Sequence, residues 1–324
     1  MRFKFHSGIS NTGNRANVSE GMSRRIRWVW ISGLQLAVVV PLAVFFMGAV
    51  AAERAVQPAR KLVPPVCPCV AHVRCRDAQT ISADGTLLKG WYYEPDAQNG
   101  GALLMLHGVG DNRVAVVALG TVYEKAGYSV LVPDLRGHGE SGGLISYGVQ
   151  DEADVRAWAT WMQAQPGIGN LYGFGASLGG SVLLESLRTE TRFSAVIAES
   201  AYSDFPSIAK ERVRRNAPAA LKWLTTPVVD SGILWTNLRY GIDLRASSAA
   251  DGVRLSKTPI LLAHGLADNL TSPDNSRLLA SVNPALTQLW LVPGAAHVNL
   301  WSTARREFED RTLAWLASHA LSKK

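Results

Sequence analysis

The sequence predicts an α/β protein with a mostly parallel central sheet flanked by helices, a small helical cap and an N-terminal transmembrane helix. Three observations carry this reading. From about residue 80 onward, short apolar runs of strand length alternate with amphipathic stretches of helix length. One interval between two such runs, residues 202–256, is far longer than a simple crossover needs and holds no strand-like run of its own. The N-terminal part contains an uncharged run of 25 residues, Trp28 to Ala52.

The strand candidates follow in order as LLKGWYYE, ALLMLHG, SVLVPDL, NLYGFG, SAVIAES, PILLAHG and QLWLVPG. The first sits in DGTLLKGWYYEP, where Asp84-Gly85 offers the turn of an opening hairpin. Helices are expected at about residues 114–126, 149–164, 178–189, 273–282 and 303–319. Residues 202–256 are expected to form the inserted cap. Within it, KERVRRNAPAALKWL reads as a solvated helix face ending at Pro218; a second reading rests it on anionic lipid headgroups.

The net charge of +7 invites a nucleic-acid reading, so its location decides. Residues 1–80 hold 11 Lys/Arg and 3 Asp/Glu, whereas residues 81–324 hold 22 and 23. The basic excess belongs to the leader and the body is neutral, which removes the charge argument for binding nucleic acid. As a helix, Trp28–Ala52 would span ~37 Å, enough for a ~30 Å hydrocarbon core with some tilt. Arg24, Arg25 and Arg27 precede it, which by the positive-inside rule puts residues 1–27 in the cytoplasm and the body outside, on the periplasmic side in a bacterium. Ala49-Val50-Ala51 also fits a signal-peptide cleavage site, giving a secreted protein as the alternative.

Residues 53–79 read as a linker carrying a cysteine cluster, with Pro58, Pro64 and Pro65 keeping residues 56–66 extended. Cys67, Cys69 and Cys75 suit one disulfide in an oxidising compartment, from Cys75 to either Cys67 or Cys69. His72 could join them in a crowded metal cluster. Residues 80–324 form the main domain.

The stretch YGFGASLGG runs a strand into a helix with Gly175-Ala176-Ser177-Leu178-Gly179 at the junction. A G-x-S-x-G elbow holds its serine strained on a tight turn, with glycine where side chains would strike the neighbouring strand and helix. Serine needs a base and an orienting carboxylate to act as a nucleophile. His297, in LVPGAAHVNLW, follows a strand and is the candidate base; Asp268, in HGLADNLTSP, leaves a strand through a turn and is the candidate acid. His264 stands four residues before that acid on its strand, and His319 near a helix C-terminus. Glu199 and Asp204 are the alternative acids; Glu185 and Glu190, on the helix after Ser177, point away. The backbone amides of Leu178 and Val109 are the candidate oxyanion donors, with Gly110 as alternative to Val109, and His107 is expected to brace that loop.

With HGVGDN, PDLRGHGESGG, GASLGG, HGLAD and PGAAH in this order, the chain resembles the α/β-hydrolase superfamily from about residue 80 to 319. Among its members it is most similar to small esterases, lipases and serine-peptidase-like hydrolases with a modest cap. The resemblance implies a Ser177–His297–Asp268 triad, an acyl-enzyme, no metal or organic cofactor, and a small-molecule or lipid-like acyl substrate. It gives Asp134 and Arg136 structural roles in the turn after their strand. A peptidase, or a non-catalytic protein keeping the fold, are the alternative functions.

Overall fold

A computed structural model describes residues 35, 37–67 and 74–321. Helix α1 (Ala37–Val56) is followed by eight strands: β1 (Arg74–Ile81), β2 (Leu87–Glu94), β3 (Gly101–Leu106), β4 (Ser129–Pro133), β5 (Asn170–Ala176), β6 (Phe193–Glu199), β7 (Ile260–Gly265) and β8 (Thr287–Val292). They form one sheet in the order β1-β2-β4-β3-β5-β6-β7-β8. β2 runs antiparallel to both neighbours, and every pairing from β4 to β8 is parallel. The inner strands β3 and β7 are buried along their whole length, as expected for a parallel sheet covered on both faces.

The helices between strands are α2 (Val114–Lys125), α3 (Asp151–Gln163), α4 (Leu178–Ser186), α5 (Phe205–Asn216), α6 (Thr225–Tyr240), α7 (Ala249–Leu255), α8 (Asp274–Val282), α9 (Leu300–Thr303) and α10 (Arg305–Ser318). Because side chains alternate across a strand, the sheet feeds two cores. Leu104 and Leu171 join Trp158, Leu183 and Val253 on one face; Leu103, Met105 and Phe174 join Tyr123, Phe308 and Leu316 on the other.

Three expectations need correction. β1 begins at Arg74, inside the stretch read as linker, because it is an edge strand whose only buried residue is Ala78 and so lacks an apolar run. Residues 57–66 are not a free tether: the Arg60 guanidinium donates to the carbonyls of Ser141 (2.5 Å) and Gly143 (3.1 Å), and Asn112 Nδ2 donates to the carbonyl of Leu62 (3.0 Å). The 202–256 insertion is helical, but its last helix, α7, packs back on α4 beside the sheet, leaving α5 and α6 as the cap.

Cys67 is disulfide-bonded to Cys75 with their Cα atoms 6.3 Å apart, which withdraws two donors from the metal cluster considered above. Cys69 and His72 lie outside the described residues, as do residues 1–34 of the leader. Asp134 accepts from the backbone amide and guanidinium of Arg113 (2.8 and 2.7 Å), and Arg136 pairs with Asp154 at 2.6 Å, so both hold the turn after β4.

Candidate functional site

The serine elbow is built by the two glycines around it. A Cβ on Gly175 would stand 2.4 Å from the Gly179 carbonyl oxygen, and one on Gly179 would stand 2.4 Å from the carbonyl oxygen of Leu106. Glycine alone lets β5, α4 and β3 come this close. Ser177 takes φ 52° and ψ −115°, a conformation that costs a non-glycine residue of the order of 1–3 kcal/mol and lifts its hydroxyl above the strand ends. Its amide donates to the Glu199 carbonyl at 2.8 Å, tying the elbow to β6.

His297 lies on the loop after β8. Its Nε2 is 2.9 Å from Ser177 Oγ and its Nδ1 is 2.7 Å from Asp268 Oδ2. The loop is held from β6: the Leu300 amide donates to Glu199 Oε1 at 3.1 Å, and the Val298 amide approaches Ser200 Oγ at 3.5 Å. Ser200 and Val298 also adopt positive φ, 52° and 51°, so backbone strain is gathered around the serine and the imidazole.

Asp268 sits in the turn after β7 with its carboxylate buried. Burial alone would raise its pKa, but hydrogen bonds from His264, His297 and the Thr271 amide outweigh it and hold the carboxyl well below the usual range. Oδ1 accepts the amides of Leu270 and Thr271, both at 2.8 Å. His264 Nε2 donates to the Thr271 carbonyl at 3.0 Å and lies 3.2 Å from Asp268 Oδ2, while its Nδ1 takes the hydroxyl of Ser276 at 2.7 Å.

Among the alternatives, Glu199 is committed to the Leu300 amide and Asp204 caps α5 by accepting from the Ser207 amide at 2.8 Å. His319 hydrogen-bonds within α10 and its ring lies 4.3 Å from that of Trp315. Glu185 accepts from Ser247 and Arg188, away from His297.

The loop after β3 brings Gly108 against the elbow, where an added Cβ would stand 3.5 Å from Ser177 Cβ. His107 accepts the Leu135 amide on Nε2 at 3.1 Å, so its proton is on Nδ1, which donates to the Gly108 carbonyl at 2.8 Å. In a trans peptide the carbonyl and amide point opposite ways, so this bond turns the Val109 N–H away from His107. Burial, reinforced by His138, pushes the His107 imidazole down to about 4, keeping it neutral. The Gly110 amide, the alternative donor, is used by His138 Nε2 at 3.1 Å.

Over Ser177 and Leu178 lies a cavity of about 340 Å³, within the range of small-ligand sites. Val109, Tyr147, Tyr202 and Phe205 line it, with Ile208, Val229 and Ile233 from the cap. Tyr147 has φ 52°, and the Tyr202 hydroxyl is buried without a hydrogen-bond partner.

The sequence had marked Ser177, Asp268, His297, Val109 and Leu178, and these meet at one rim of the sheet. It had not marked His264 as a partner of Asp268, although an imidazole four residues before the acid was a readable signal. Nothing local foretold the part of Tyr147, whose position depends on the fold.

Comparison with known proteins agrees with this architecture. The α/β hydrolase fold family model matches residues 101–227. The uncharacterized protein YfhR of Escherichia coli is 26% identical over 226 residues, covering 68% of this chain and 72% of that protein. Thiohydrolase aneE of Aspergillus aculeatus is 34% identical over 96 residues, 28% of this chain and 30% of aneE. The structure of the Pyrococcus furiosus esterase Pf2001 superposes with a TM-score of 0.66 at 21% identity, over 81% of this chain and 99% of that one. The chain is an α/β-hydrolase-fold protein.

Proposed function

We propose that this protein is a serine hydrolase that cleaves carboxylic esters or thioesters through an acyl-enzyme. The carrying observation is the unbroken hydrogen-bonded line from Ser177 through His297 to Asp268, opening into an apolar cavity. Asp268 fixes the imidazole with its proton on Nδ1, leaving the Nε2 lone pair facing Ser177 Oγ. Oγ attacks the acyl carbon as its proton passes to Nε2, and the negative oxygen is received by the amides of Val109 and Leu178. Collapse breaks the ester C–O or thioester C–S bond, and Nε2 returns the proton to the leaving alkoxide or thiolate. Water then repeats the sequence, giving its proton to Nε2 and releasing the carboxylic acid and Ser177.

The esterase likeness of the fold favours oxygen esters, and the similarity to a thiohydrolase favours including thioesters. We further propose that α1 is a retained membrane anchor with the body on the extracytoplasmic side. Its length, its apolar surface and the Cys67–Cys75 disulfide support this. The test is labelling by a fluorophosphonate together with p-nitrophenyl ester hydrolysis. Ser177→Ala should abolish labelling and lower turnover by ~10⁶. An S177A protein as active as the wild type would end the proposal.

A further inference from the structure

The helix expected only to anchor the chain also forms part of the site. α1 and α6 cross in the same direction, with Gly48 against Val228 and Gly232 and, further along, Gln57 Nε2 donating to Tyr240 OH at 2.9 Å. The contact is too close for side chains: a Cβ on Gly48 would stand 2.4 Å from the Val228 carbonyl oxygen, and one on Gly232 would stand 2.9 Å from that of Gly48. Phe45 packs edge-on to Trp235 with ring centroids 6.1 Å apart. Glu53 accepts from Trp235 Nε1 at 2.7 Å and from Tyr240 OH at 2.6 Å. Tyr147, from the far side of the cavity, donates its hydroxyl to the Ala55 carbonyl at 3.1 Å. These bonds come from separate parts of the chain and fix α1 to the body.

The same turns of α1 face the cavity: Gly48, Ala51, Ala52, Arg54 and Ala55 line it. Apart from Arg54, whose side chain is largely exposed, these are small and leave the space open. The buried, unpartnered hydroxyl of Tyr202 lines the same space and is a polar group awaiting a ligand. Upstream, Val39, Leu42 and Phe46 are exposed. These exposed apolar residues precede the cavity wall, which begins at Gly48, so a bilayer around them would end near that wall.

We infer that α1 is the acyl-binding wall of this hydrolase: its small residues shape a slot over Ser177 for a long, unbranched acyl chain, the substrate being a long-chain ester or thioester drawn from the membrane side. This rests on the serine-hydrolase reading and adds the class of acyl group and the element that selects it. It also requires α1 to stay in the mature protein, because cleavage after Ala51 would cut through the wall.

The test uses the full-length chain in bilayer nanodiscs and compares its labelling rates with ethyl and dodecyl fluorophosphonates. Ala51→Phe and, separately, Ala55→Leu place bulk into the slot; each should lower the ratio of dodecyl to ethyl rates by at least about tenfold. Ala51→Gly, which widens the slot, should raise the ratio of hexadecyl to dodecyl rates, giving a measure that does not depend on the bulky variants folding. Phe46→Leu, on the exposed face, should leave the ratio as in the wild type. If ethyl labelling persists while all three slot variants keep the wild-type ratios, α1 is not the wall and the serine-hydrolase reading survives. If neither probe labels the wild-type protein, both proposals fall together.

Discussion

His264 and His297 converge on the same oxygen, Oδ2 of Asp268, from 3.2 and 2.7 Å. The first imidazole is fully buried and held by Ser276 and Thr271, so it gives the carboxylate a fixed donor. A shared oxygen with one immobile partner leaves little freedom for the other. His264→Leu should therefore lower kcat by about 10- to 100-fold through misplacement of His297, with KM little changed. Steady-state kinetics on a soluble p-nitrophenyl ester will read this, and an unchanged kcat would refute it.

His107 sets the direction of the peptide between Gly108 and Val109. His107→Leu frees that peptide to turn. Losing one oxyanion donor costs ~10²–10³ in kcat, so the variant should approach but not exceed that loss. Its rate of reaction with a fluorophosphonate should fall in parallel with ester turnover.

Burial pushes the Glu199 carboxyl up to about 7; the Leu300 amide and His264 oppose the rise, while Asp268 adds to it. The unfolded chain loses this proton near 4.5, so the native state holds one more proton between about pH 4.5 and 7. Stability from this group is therefore full below 4.5, falls as pH rises toward 7, and is gone above it, at ~1.4 kcal/mol per unit. Glu199→Gln keeps an acceptor for the Leu300 amide and removes the ionisation. The difference in Tm between pH 5 and pH 8 should shrink in E199Q, as measured by circular dichroism.

The disulfide closes a short loop between residues 67 and 75 at the start of β1. Cys75→Ser should cost about 2.5 kcal/mol by loop entropy. Titration of the denatured protein with a thiol reagent should find one thiol before reduction and three after, since the sequence holds three cysteines. Three thiols at the outset would argue against an oxidising compartment.

Strands β3 to β7 were legible because each is a buried apolar run, and six of the seven predicted strands, the edge strand β8 included, lie within two residues of where they were read. The seventh, β2, coincides with its prediction. β1 was not legible: RCRDAQTI has the polarity of a loop and becomes a strand only by pairing with β2. Ser177, Asp268 and His297 could be read as candidates because each stands within five residues of a strand end at the same edge of the sheet. The contacts of Arg60 could not, since they join residues whose nearness the sheet creates, whereas His264, four residues before Asp268, was within reach of a sequence reading. Ala49-Val50-Ala51 carries a further lesson. Small residues suit a protease, a membrane helix and a close helix crossing equally, and only the place of α6 separates these.

Arg60 and Asn112 lash the strap after α1 to the turns beside β3 and β4, while the Gly48–Gly232 crossing clamps α1 itself. Among the described residues, α1 is thus tied to the body along its length and at the strap that follows it. In the proposed bilayer-bound state the mouth of the cavity must keep one height and one heading relative to the lipid plane. In that proposed state reorientation would belong to the whole molecule, and substrates would reach the serine by lateral diffusion to a stationary port instead of by a swinging head.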